Sequence, residues 1–209
     1  MKNLWSFAFI SFFLLTSIAM AQPSVGIGVQ AGINFANATT SPTSISTTSR
    51  TGLMLGGYVD IGLSDVLSIQ PGLMYVQKGA EFSVSAGGTT ATATWKFDYI
   101  ELPVLLMAHF GPSEFKPTLF AGPNIGINLK AEAEATSGSQ SSTMDLKDDV
   151  ESIDFALDFG AGGEYQINPT TALFANIRYS LGLSDIDKDG TSSWKSTGVQ
   201  ILVGAEFGI

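Results

Sequence analysis

VGIGVQAGINF, residues 25–35, sets Val25, Ile27, Val29, Ala31, Ile33 and Phe35 on one parity and Gly26, Gly28, Gln30, Gly32 and Asn34 on the other. Strict alternation is the period of a β-strand, whose successive side chains point to opposite faces. The last stretch, GVQILVGAEFGI (198–209), repeats the arrangement with Val199, Ile201, Val203, Ala205, Phe207 and Ile209 against Gln200, Gly204, Glu206 and Gly208. Between the two ends, the same pattern predicts strands at about 51–63, 66–82, 94–110, 117–131, 153–167 and 171–183. That makes eight segments, each long enough for the roughly 9–11 residues of a tilted membrane strand. No helical periodicity of comparable length occurs.

The connections also alternate. Short links fall at 64–65, 111–116 and 168–170, and long polar ones at 37–50, 84–93, 132–152 and 184–194. Segregation of loop length by end is how outer-membrane barrels are built, with short periplasmic turns, longer extracellular loops and both termini in the periplasm.

The polar parity decides the solvent. It is crowded with glycine (Gly56, Gly62, Gly72, Gly122, Gly126, Gly160, Gly162, Gly182), which suits a cramped lumen and would coat a soluble barrel poorly. The apolar parity carries Leu53, Leu55, Val59, Leu73, Leu102, Val104, Leu106, Ile125, Ile127, Leu173 and Ile177 and is assigned to lipid. Phe110, Tyr165 and Phe207 near one end and Phe35, Tyr75, Phe155 and Tyr179 near the other form two aromatic girdles.

Composition agrees. Charged residues make up 14% of the 209 residues and hydrophobic ones 44%, against about 25% charged in ordinary soluble domains. Such a chain is too apolar to be disordered. A net charge of −9 is the wrong sign for a nucleic-acid backbone. The absence of cysteine excludes disulfides and thiolate metal sites. At the start, MKNLWSFAFISFFLLTSIAMA has a basic Lys2, a short apolar run and the small residues Ala19 and Ala21 of a cleavage site. Residues 1–21 are therefore expected to be a signal peptide and 22–209 the exported barrel domain.

Three prolines, Pro71, Pro103 and Pro123, fall inside segments that closure would pair fully. They are expected at bulges, because proline cannot donate to the ladder. Trp95, Phe97 and Tyr99 share the parity of Glu101 and mark another candidate for a local parity shift. The strings around these prolines, SIQPGLMYVQKGAEF, YIELPVLLMAHF and FAGPNIGINLK, followed by FGAGGEY, resemble the PorT-like outer-membrane β-barrel family of Bacteroidota. The resemblance runs over essentially the whole exported chain. It departs at Met107-Ala108-His109, where that family often has a basic residue after the apolar run. The family name hints at secretion, a role that no residue of this chain argues for.

Chemistry-bearing residues are few. Asp60, Glu101, Asp158, Glu164 and Glu206 lie on the inward parity with Arg178 as the mid-strand cation, an expected lumen ion network that Lys78 and Lys130 could reach from above. His109, the lone histidine, ends a strand and is expected at the periplasmic rim. No nucleophile elbow, zinc-protease motif or phosphate loop occurs. In the last loop, Asp185, Asp187 and Asp189 with Gly190 form DIDKDG, the beginning of a calcium loop. The twelfth position is Ser196 rather than a bidentate glutamate, so any calcium binding there is expected to be weak. The stretches 39–49 and 131–143 read as low-complexity polar loops.

These features predict an all-β protein: an eight-stranded antiparallel up-and-down transmembrane barrel behind a cleaved signal peptide, with periplasmic termini. The expected function is non-enzymatic, structural or interacting, in the cell envelope, without a cofactor and with outer membrane lipids as partners. The alternatives are a surface binding or adhesion module working through its loops for a cell-surface or envelope partner, and a component of an outer-membrane secretion assembly.

Overall fold

The computed structural model describes residues 24–41, 47–86, 89–111, 114–137, 140–188 and 193–209. The expected signal peptide at 1–21 lies outside them. Among the described residues there is no helix, and nine strands follow in chain order. They are β1 (Val25–Ser41), β2 (Thr48–Gly62), β3 (Leu67–Ala86), β4 (Thr89–His109), β5 (Phe115–Ser137), β6 (Gln140–Asp145), β7 (Ile153–Asn168), β8 (Thr171–Gly182) and β9 (Ser193–Gly208). Eight close a ring in which each pairs antiparallel with its sequence neighbours, β5 passing directly to β7 and β9 returning to β1. The short β6 only pairs back onto the far end of β5.

The ring is staggered. From Gln30, register partners run one way through Gly56, Met74 and Glu101 to Gly126 on β5. The other way they run through Gly204, Phe174 and Glu164 to Lys116, ten residues lower on the same strand. Closure with such a shear forces the strands to tilt, by about 35–45° in barrels generally.

Parity resolves as the alternation requires. On β8, Ala172, Phe174, Asn176, Arg178 and Ser180 are buried, while Leu173, Ile177 and Tyr179 are exposed on the outer surface. Outward leucines, isoleucines and valines, such as Leu53, Leu55, Leu106 and Ile177, give the ring an apolar belt. Inward glycines make room for large neighbours. A Cβ at Gly28 would fall inside the ring of Tyr58, and one at Gly204 against the ring of Phe174. Those two rings meet in the lumen with centroids 5.8 Å apart and planes tilted by 59°.

Several expectations need correction. In the segment 84–93, residues 84–86 and 89–93 are strand rather than loop, since β3 and β4 stay paired out to Ala86 and Thr89. Likewise 132–152 is not a plain loop: its first half is the β5–β6 hairpin, Glu132 pairing Asp145 and Ser137 pairing Gln140. Alternating Thr, Ala and Ser lack the apolar face that marks a strand in sequence, yet Thr suits an extended backbone. Nor do the prolines sit at bulges. Pro71 faces Val104, Pro103 faces Asn124 and Pro123 faces Leu157, with no change of register. The register shifts fall instead between Ser49 and Met54, Asp98 and Tyr99, and Gln166 and Asn168. The second of these inserts its extra residue, Leu129, in β5 rather than β4. Phe97 and Tyr99 thus keep the inward parity of Glu101 and are buried.

Candidate functional site: the lumen and its two ends

The six charged residues expected in the lumen network separate into two groups along the barrel axis. Glu101, Asp158 and Arg178 are fully buried at mid-barrel. Arg178 Nη1 lies 3.5 Å from Asp158 Oδ2, and its guanidinium stands 5.8 Å from the ring centre of Phe120. The Asn124 amide donates to both Glu101 Oε2 (2.9 Å) and Asp158 Oδ2 (3.0 Å), bridging two carboxylates that would otherwise repel.

Glu101 finds its cation on β3 rather than on β8. Lys78 Nζ lies 2.6 Å from Glu101 Oε1 and 3.4 Å from Asp154 Oδ2, over the ring of Tyr99. Arg178 is therefore not the sole cation inside. Lys78 shares the parity of Met74 and Val76, and Asp154 that of Ala156 and Asp158, so the alternation already held both. Lys130, by contrast, stays outside and pairs with Glu132 at 2.9 Å. The network crosses β3, β4, β5, β7 and β8, and the other side of the lumen is filled by Gln30, Asn34, Gln200 and a cluster of Met54, Met74, Val76 and Leu202.

At the end carrying the short turns, Asp60, Glu164 and Glu206 meet His109. That histidine ends β4 beside the short turns, with its imidazole turned into the lumen. Its Nδ1 lies 3.3 Å from Glu164 Oε1 and its Nε2 3.0 Å from Ser68 Oγ. The Ser68 hydroxyl donates to Asp60 Oδ2 at 2.7 Å, and Gln70 Nε2 to the same oxygen at 3.3 Å. Tyr58 donates to Glu206 at 3.0 Å. A Ser–His–Glu succession therefore exists, but the serine proton is directed to Asp60 and not toward the imidazole, as a nucleophile would need. A polar cavity of about 200 Å³ opens beside it.

At the other end the lumen is capped. Phe97, Tyr99, Ala131, Val150 and Ile186 form a buried apolar cluster with Trp95, Leu146 and Trp194 packed on it. Of the calcium candidates, Asp189 lies outside the described residues. Asp185 Oδ1 accepts from the backbone amides of Asp187 (3.1 Å) and Trp194 (2.9 Å). Partial burial works against the charge, but these two amides hold its carboxyl below the usual range. Asp187 is engaged by its backbone in a bridge to Val150. Among the described residues no group of three or more acidic or histidine side chains is arranged to hold a metal.

A family model described as "Outer membrane protein beta-barrel domain" matches residues 20–188. The chain belongs to that family. The fold of this outer-membrane barrel is similar to solved structures of the same kind at low identity. A major outer membrane protein from Thermus thermophilus is 12% identical, with 88% of this chain and 99% of that one covered and a TM-score of 0.52. The outer membrane protein OprG from Pseudomonas aeruginosa is 11% identical, with 90% and 96% covered and a TM-score of 0.51. No curated protein matches the sequence. Membership gives the apolar belt its solvent, the bilayer, since a barrel satisfies every backbone group internally.

Proposed function

We propose that this outer-membrane barrel conducts nothing and catalyses nothing, and serves the envelope as a structural and interaction protein. The observation that carries the reading is the filled lumen: Asp154, Lys78, Glu101, Asn124, Asp158 and Arg178 in consecutive contact. An eight-stranded ring leaves an interior just wide enough for side chains, and here the apolar cap closes it above. In our reading the short turns and both termini face the periplasm and the long hairpins face outward, as loop lengths in such barrels favour. Residues 1–21 act as the cleaved export signal. The finer affiliation with PorT-like barrels rests on the proline-containing strings.

Purified protein in planar bilayers is expected to give no sustained conductance; reproducible porin-like steps would overturn this. Mild crosslinking of cells carrying deletions within 37–50 or 132–152 tests the interaction role. Partners lost with the hairpins support a surface binding module. Partners retained through the periplasmic turns point to a secretion assembly instead.

A further inference from the structure

The capped end carries a feature that the plugged lumen does not require. Trp95 and Trp194, in contact with ring centroids 3.7 Å apart, form with Phe97 and Leu146 the walls of an apolar pocket of about 150 Å³. A cavity of that size takes a benzene-sized body. Two carboxylate residues, Asp149 and Asp187, line the same pocket.

The walls are fixed. Val150 bridges Asp187, the Glu151 amide donates to the Ile186 carbonyl at 2.9 Å, and the Ile186 amide to the Trp194 carbonyl at 2.9 Å. The charge around it is one-sided. Segments 145–151 and 185–188 contain Asp145, Asp148, Asp149, Glu151, Asp185 and Asp187 against Lys147 and Lys188. Both lysine ammonium groups are engaged by other acceptors. Lys147 Nζ donates to the side chain of Asn128 at 2.7 Å and to its carbonyl, and Lys188 Nζ to the carbonyl of Asp148 at 3.0 Å.

We propose that this pocket is a binding site for a small organic cation with an apolar body, an aryl- or alkylammonium. Tryptophan is the best aromatic partner for a cation, within about 6 Å of the ring. The acids supply the complementary charge, and the apolar walls receive the ring or chain. An anion of the same shape meets repulsion from Asp149 and Asp187. That the ligand arrives from outside the cell rests on the orientation proposed above; binding itself does not.

The test uses the barrel's own fluorescence, because the processed chain (22–209) contains only Trp95 and Trp194 as tryptophans, both in the pocket wall. In neutral-detergent micelles, phenethylammonium is expected to change the emission saturably, and phenylacetate to bind at least tenfold more weakly. The double variant Asp149→Asn, Asp187→Asn is expected to remove that discrimination. Raising the salt concentration tenfold on the unaltered protein should weaken the amine and leave benzyl alcohol unchanged, which keeps the test decisive if the variant misfolds. Equal affinity for amine and acid, or no saturable response to the amine, would overturn the proposal. Neither outcome touches the conductance result, so the two readings fail separately.

Discussion

Lys78 and Glu101, from adjacent strands, meet at 2.6 Å in the middle of the barrel with side chains 5% and 0% exposed. A pair so deeply buried persists only while both charges have partners. Removing one leaves the other charge without water or counterion, at a cost of about 3–5 kcal/mol. Lys78→Met is therefore expected to lower unfolding stability by that order. Adding Glu101→Gln should recover part of the loss, because a neutral amide needs no cation. Denaturant unfolding in lipid vesicles measures both; a double variant no more stable than Lys78→Met alone would mean the pair does not act together.

Arg178 answers to Asp158. The two are 3.5 Å apart, whereas Glu101 is held by Lys78 and by the Asn124 amide. In a double-mutant cycle, Arg178→Met should couple more strongly to Asp158→Asn than to Glu101→Gln. Equal coupling would show that the cations are shared across the network.

How much of this was legible follows from what a period of two records. Alternation reports which face a residue takes, so the ring and the inward position of Asp60, Glu101, Asp158, Glu164, Arg178 and Glu206 could all be read in the chain. It does not report how far a strand continues once its outer face stops being apolar. That is why the paired stretches around Ala86, Thr89 and Glu132 looked like loops. Nor does it report axial height, which depends on the shear of the ring. Lys78, counted as a residue reaching down from above, stands instead beside Glu101. The cap was invisible for a different reason: Val150 and Ile186 come from separate connections and meet only in three dimensions.

The outer belt gives a test of the bilayer assignment. Val104 and Ile127 lie on the outward face of β4 and β5. An arginine near the bilayer midplane of a barrel costs about 2–4 kcal/mol. Val104→Arg and Ile127→Arg are each expected to lose stability of that order in vesicle refolding. Ser142→Arg, on the exposed β5–β6 hairpin, should be close to neutral. Small and equal effects at all three would contradict the outward, lipid-facing placement.

Asp185 ties the last hairpin together, since one carboxylate oxygen receives the amides of both Asp187 and Trp194. Its carboxyl is held below the usual range, so the charged form is favoured in the folded loop. For an acid with a depressed folded-state pKa, the stabilisation is present above the unfolded value of 3.8 and is lost as the pH falls through the lower, folded one. Trp194 emission is thus expected to shift reversibly on acidification below that value, and Asp185→Asn to abolish the transition. The same commitment bears on calcium. An oxygen already accepting two amides is a poor ligand, and a site lacking a bidentate glutamate is expected to bind no tighter than about 10⁻⁴–10⁻³ M. Calorimetry of the folded barrel with an Asp187→Asn, Asp189→Asn control measures this. A micromolar dissociation constant abolished by those substitutions would mean that the loop rearranges to release Asp185 to the metal.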